Sequence, residues 1–157
     1  MSPNPTKTGD RWSQLGRSEL IALGRNMVID RLERLGCTVT PPGSRAAGKL
    51  DVQTPAGRDI EVFVSTQRVG GYVFWTKRRF QPAKSRFVAI ALLGDGEEPD
   101  LYLLPSTEWL AASPPFTDRD NVGKKSEPEY GVSVARSWLA VLARYAWDDT
   151  TAARYFR

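Results

Sequence analysis

The sequence predicts an α/β fold, a central mixed β-sheet of about five strands flanked by helices. Three observations predict it. Residues 18–36 carry apolar side chains at helical spacing. Residues 37–66 break into three short alternating segments punctuated by Pro and Gly. After a connection, residues 87–93 (FVAIALL) form an unbroken apolar run, as expected of a strand buried on both faces.

In the first helix Leu20, Leu23, Met27, Leu32 and Leu35 fall near one face, with Ser18 as N-cap and Gly36 as a left-handed C-cap. Gly24 inside it costs about 1 kcal/mol relative to Ala and so marks close packing. A short strand over residues 37–40 is stopped by Pro41-Pro42, and the turn-rich loop PPGSRAAG carries Arg45. Residues 50–54 and 59–66 are the second and third strands, joined by the turn Pro55-Ala56-Gly57-Arg58. Residues 72–75 read as a short strand and residues 77–86 as a basic loop or short helix. Residues 101–104 pair back on 87–93 across the polar turn GDGEEPD, and Pro105-Ser106 opens a short helix. Residues 113–131 read as one long connection. The last helix is expected over residues 133–145, with Val134, Trp138, Val141, Leu142 and Tyr145 on its core face. The division expected is an N-terminal arm (1–16), a single α/β domain (17–147) and a C-terminal tail (148–157) that docks or frays.

Composition excludes several chemistries. The chain has no histidine, which removes Ser-His-Asp and Cys-His catalysis. Its one cysteine, Cys37, cannot form an internal disulfide or a zinc cage, and reads as a small buried apolar residue. Any metal here needs carboxylate and carbonyl ligands, which points to magnesium or manganese. No apolar run approaches the roughly 20 residues of a membrane helix, so no membrane association is expected, and a cytoplasmic location is.

Charge is unevenly distributed. Residues 41–90 hold nine Lys/Arg against three Asp/Glu, a net of +6. Residues 91–130 hold three against nine, a net of −6. The basic middle either invites an anionic partner or faces the acidic stretch within the fold. Within it, Tyr72, Phe74, Trp75, Lys77, Arg78, Arg79 and Phe80 interleave rings with cations, a composition suited to phosphates and unpaired bases. The bland reading places Phe74 and Phe80 in the core. The segment KKSEPEYG (124–131) reads as a structural lid whose Glu127 and Glu129 could reach the basic segment.

The alternation of the second and third strands sorts their side chains. Leu50, Val52, Ile60, Val62 and Val64 share one face; Asp51 and Glu61 lie on the other. Two carboxylates on adjacent strands can bind a divalent cation and polarise a water against a phosphodiester. In a different α/β fold, Asp51 is a surface acid and Glu61 pairs with Arg58 or Arg68.

On these residues the chain resembles the PD-(D/E)XK nuclease superfamily, over about residues 17–105. The likeness runs through the helix ending in LGCTV, the strand GKLDV, the strand DIEVFVSTQR and the later strand RFVAIALL. It implies a restriction-endonuclease-like core, with the first acid in the second strand (Asp51) and the second acid followed two residues later by a lysine on the third. Glu61 is followed at that spacing by Phe63. Registered on the end of the strand, Phe63 stands for the acid and Ser65 for the lysine. The resemblance implies Asp51 and Glu61 as catalytic and metal-binding residues holding Mg or Mn, with Lys49 as a relocated catalytic lysine. Lys77 is a further candidate for that base. Arg45, Arg68, Trp75, Lys77, Arg78 and Arg79 would contact nucleic acid, DNA before RNA, with Gln67 able to order a water.

The expectation is a nucleic-acid-associated protein with a divergent nuclease-like fold that has lost catalysis. The alternatives are an active Mg-dependent phosphodiester hydrolase and a protein-interaction module, such as a defence-system or toxin-neutralising partner. In the last case residues 95–100 and 113–131 would touch the protein partner.

Overall fold

Helix α1, Arg17–Arg34, starts the architecture. The computed structural model describes residues 12, 14–40, 48–94 and 98–157. The N-cap of α1 is Gly16, not Ser18, because the Glu19 carboxylate reaches back to accept the Gly16 N–H at 3.2 Å. At its other end Gly36 has φ +85, with the Gly36 N–H on the Glu33 carbonyl and the Cys37 N–H on the Leu32 carbonyl. That pair of bonds satisfies the last carbonyls and turns the chain into the sheet.

Five strands form the central mixed sheet: β1 (Thr38–Thr40), β2 (Lys49–Gln53), β3 (Asp59–Arg68), β5 (Arg86–Leu93) and β6 (Asp100–Pro105), in that spatial order. Only β3 and β5 run parallel; the other neighbours are antiparallel. β5 sits inside the sheet with every residue from Phe87 to Leu93 buried, which explains its unbroken apolar sequence. The remaining strands, β4 (Tyr72–Thr76), β7 (Phe116–Arg119) and β8 (Glu129–Ser133), make a second antiparallel sheet in the order β4-β8-β7.

Each face of the central sheet has its own core. On one, Leu50, Val52, Ile60, Val62, Phe87 and Ala89 pack against Val28 and Leu32 of α1 and against Ala152 and Phe156 at the C-terminus. Ala152 belongs to helix α3, Asp149–Tyr155, so the tail docks. Gly24 allows α1 to lie close on the sheet: a Cβ there would collide with Thr66 Oγ1, with Ala91 Cβ 3.2 Å away. On the other face, Phe63, Val88, Ile90 and Leu104 pack against the second sheet and against Trp109, from the 3-10 helix Ser106–Ala111.

Two further expectations change. The stretch 113–131 is not one open connection, since it contains β7 and leads into β8. The predicted helix over 133–145 does not form as one piece. Val134 stays with the second sheet, its N–H on the Gly71 carbonyl at 3.0 Å and its carbonyl accepting from Gly70 at 3.1 Å. Beyond it the chain makes a 3-10 turn (Arg136–Trp138), a single α turn α2 (Leu139–Leu142) and another 3-10 turn (Ala143–Tyr145). Only Val134 and Leu142 of the predicted apolar face are buried. Among the described residues no helix is long and apolar enough to cross a membrane.

Candidate functional site

Strand register builds the site. Lys49, Asp51 and Gln53 of β2 stand directly opposite Phe63, Glu61 and Asp59 of β3. Opposed residues on one face bring their Cβ atoms to about 5 Å, so Asp51 and Glu61 are immediate neighbours. Lys49 reaches both: its Nζ contacts Glu61 Oε2 and lies 3.6 Å from Asp51 Oδ1. The parallel pairing of β3 with β5 places Arg86 opposite Glu61. Arg86 Nε donates to Glu61 Oε1 at 2.9 Å, and its Nη1 donates to the Gln81 carbonyl at 2.8 Å. Two carboxylates and two cations therefore close into one network of zero formal charge.

Burial alone pushes the Glu61 carboxyl up, but its bonds to Lys49 and Arg86 outweigh that and hold it below the usual glutamate range. The bond to Glu61 raises Lys49 above its ordinary value, against a smaller lowering by burial. Lys49 thus keeps its proton and is a poor proton acceptor at neutral pH. The network opens on a cleft of about 480 Å³ whose walls include Asp51, Glu61, Thr38, Thr40, Asp59 and Ser85.

These residues suit a divalent cation badly. Each Glu61 oxygen is already bonded to a cation, so a metal there competes with Lys49 and Arg86 for the same carboxylate charge. Among the described residues no three acidic or thiol side chains converge to share one ion. The position two residues past Glu61 belongs to the core: Phe63 is buried and packs edge-on to Phe80 at 5.0 Å. Ser65, the other candidate for the lysine position, has its Oγ accepting from Gln67 Nε2 at 3.0 Å.

The signs of the two shifts define a pH test. Glu61, depressed, contributes stability above its unfolded value and loses it as pH falls through its folded value. Lys49, raised, contributes fully below its unfolded value and loses it as pH rises through its folded value. The stability difference between wild type and Glu61→Gln should be a plateau through neutral pH that shrinks at both ends. Urea midpoints from about pH 3 to about pH 11 would measure it, and a flat difference at both ends would refute the network.

Of the basic candidates, Lys77, Arg78 and Arg79 follow β4 of the second sheet, and Arg68 ends β3 of the central one. Lys77 pairs with Asp118 and with Asp120, the latter at 2.7 Å, and sits 4.7 Å from the Tyr130 ring centroid. Arg78 pairs with Glu127 at 3.3 Å. Here the basic middle and the acidic stretch face each other within the fold. Glu129, by contrast, accepts from the Tyr72 hydroxyl at 2.8 Å. Trp75 is half-buried against Phe80 and Trp109, at 5.5 and 6.3 Å, and Phe80 is fully buried. Phe74 departs from its core reading: it is 54% exposed and stacks on Tyr72 at 6.0 Å. Arg79 is exposed and pairs with no acid among the described residues. Arg68 Nη2 donates to the Trp12 carbonyl at 2.9 Å. Arg45 lies outside the described residues. Arg58 pairs with neither acid and instead binds backbone carbonyls near the C-terminus.

Arg86 was not legible as a site residue. It opens a strand buried on both faces, so alternation does not reveal its side. Only the parallel register places it opposite Glu61.

No family model, curated protein or solved structure matches this chain. What the site can do therefore rests on its own chemistry.

Proposed function

We propose that this chain is a nucleic-acid-associated protein, cytoplasmic, with a divergent nuclease-like fold that does not hydrolyse its ligand. The carrying observation is the bracketing of Glu61 by Lys49 and Arg86, which leaves the carboxylate pair neutralised by protein cations. Support for the nuclease-like part is the element order of helix, three strands and a further strand pair, with Asp51 and Glu61 on one face of the second and third strands. Support for the nucleic-acid part is the net charge of +4 and a set of arginines, Arg17, Arg25, Arg68 and Arg79, with no acidic partner among the described residues. Lys77 and Arg78 would have to leave their internal ion pairs to take part.

One observation favours the second reading, a Mg-dependent phosphodiester hydrolase. Lys49 stands directly across from Phe63, so a lysine does reach the acids from the neighbouring strand.

Calorimetry at millimolar magnesium or manganese separates the two. The expected result is no binding heat and no cleavage of duplex DNA. Binding that Asp51→Ala abolishes, together with cleavage, would replace the first reading with the second. Fluorescence anisotropy with labelled duplex DNA should show affinity that falls steeply between about 50 and 200 mM salt. No affinity at the lower salt would end the nucleic-acid reading.

A further inference from the structure

A second concavity lies away from the Asp51–Glu61 network, between α1 and the end of β3. It has a volume of about 230 Å³, and its walls include Arg17, Ile21, Arg25, Ser65 and Gln67. Among the described residues no Asp or Glu lines it. Drug-sized ligands occupy pockets from roughly 300 Å³ upward, so this one suits a small group.

The sequence builds it in two steps. Arg17, Ile21 and Arg25 recur every four residues and so form one row along α1. Gly24, beside Arg25, lets that side of the helix approach Thr66 of β3 more closely than any side chain would allow. The row of arginines is thereby set over the last part of β3. Lys49 is the first residue of β2 and pairs with Phe63, so Ser65 and Gln67 lie past the β2–β3 ladder. Two arginines with no ion-pair partner among the described residues line one hollow; Ser65 and Gln67 of β3 add to its wall, with their side chains bonded to each other at 3.0 Å.

Such a donor set has positive charge and several N–H groups but, among the described residues, no carboxylate to neutralise it. Guanidinium forks match the oxygens of phosphate. We infer that this cavity binds a phosphate group of the nucleic-acid backbone, held by Arg17 and Arg25. The choice of ligand rests on the function proposed above; the anion chemistry stands without it. Arg68 lines an adjoining hollow that shares Leu20, Thr66 and Gln67 with this one, and its guanidinium donates to the Trp12 carbonyl.

The test uses the full chain, labelled duplex DNA and inorganic phosphate. The double substitution Arg17→Gln/Arg25→Gln should weaken DNA binding on the order of tenfold or more at about 0.1 M salt and lower the salt slope by about two. Ile21→Glu, which keeps both arginines but puts a carboxylate between them, should weaken binding in the same direction. Thermal midpoints of both variants should stay near wild type, since the three positions are at or near the surface. Wild-type DNA affinity and salt slope in both variants would overturn the site while leaving the nucleic-acid reading intact. Phosphate binding that the double variant loses, in a protein with no DNA affinity, would keep the anion site and overturn the nucleic-acid ligand. Binding of neither probe would overturn both.

Discussion

Trp109→Ala is expected to lower the unfolding free energy by about 3–5 kcal/mol, the range for deleting a large buried aromatic side chain. Trp109 is 1% exposed and makes edge-on contacts with Phe116 at 5.0 Å and Phe80 at 5.4 Å. Its indole N–H donates to the Gly131 carbonyl of β8 at 2.8 Å. The residue therefore joins the central sheet's second face to the small sheet by both packing and a hydrogen bond. Alanine leaves a cavity and removes a donor to the Gly131 carbonyl; Gly131 also pairs with Thr117 in the β7–β8 ladder, and the lost bond alone is worth about 0.5–1.5 kcal/mol. Trp109→Phe keeps most of the ring volume and loses the donor, so it should fall between wild type and alanine. Urea denaturation would measure the series. A loss under about 1 kcal/mol for Trp109→Ala would mean that the small sheet is not anchored through this ring.

The second large effect is expected at Arg58, in the turn between β2 and β3. Its Nη1 donates to the carbonyls of Tyr155 and Arg157, each at 3.0 Å, and its Nη2 to that of Lys84 at 2.6 Å. A cation at the C-terminal end of α3 satisfies carbonyls that the short helix cannot bond itself and opposes the negative end of its dipole. Arg58→Ala should cost about 2 kcal/mol, reduced from the sum of three charged bonds because two of them are exposed. Hydrogen exchange should quicken in α3 and leave β5 unchanged. Arg58→Lys should rescue little, because a point charge cannot fork to three carbonyls. Unchanged exchange in α3 would show that Phe156, 3% exposed, holds the tail by packing alone.

Both positions show where sequence reading reached its limit. Arg58 is legible as a turn residue, yet its partners Tyr155 and Arg157 are 97 and 99 residues away. Trp109 is legible as an apolar residue in a short helix, but its neighbours come from β4, β7 and the loop carrying Phe80. The predicted helix over 133–145 failed for a related reason. Its apolar spacing is genuine, but residues up to Val134 are held by backbone bonds to Gly70 and Gly71. A β ladder formed with a distant strand overrides local helical periodicity.

The sequence by itself determined the strand faces and the company of Asp51 and Glu61. A strand has period two, and β2 and β3 each bury one aliphatic side. A slip of one residue would expose Leu50, Val52, Ile60 and Val62 together. That constraint is strong enough to place the two acids side by side without coordinates. The tertiary structure alone decided what surrounds them. Arg86 reaches Glu61 only through the parallel register of β3 and β5, and Lys77 meets Asp118 only because β7 and β4 flank β8. Charge pairing between distant segments leaves no periodic trace in a chain. It depends on a few ångströms of strand register and on which elements become neighbours, and both are set by burying the apolar faces.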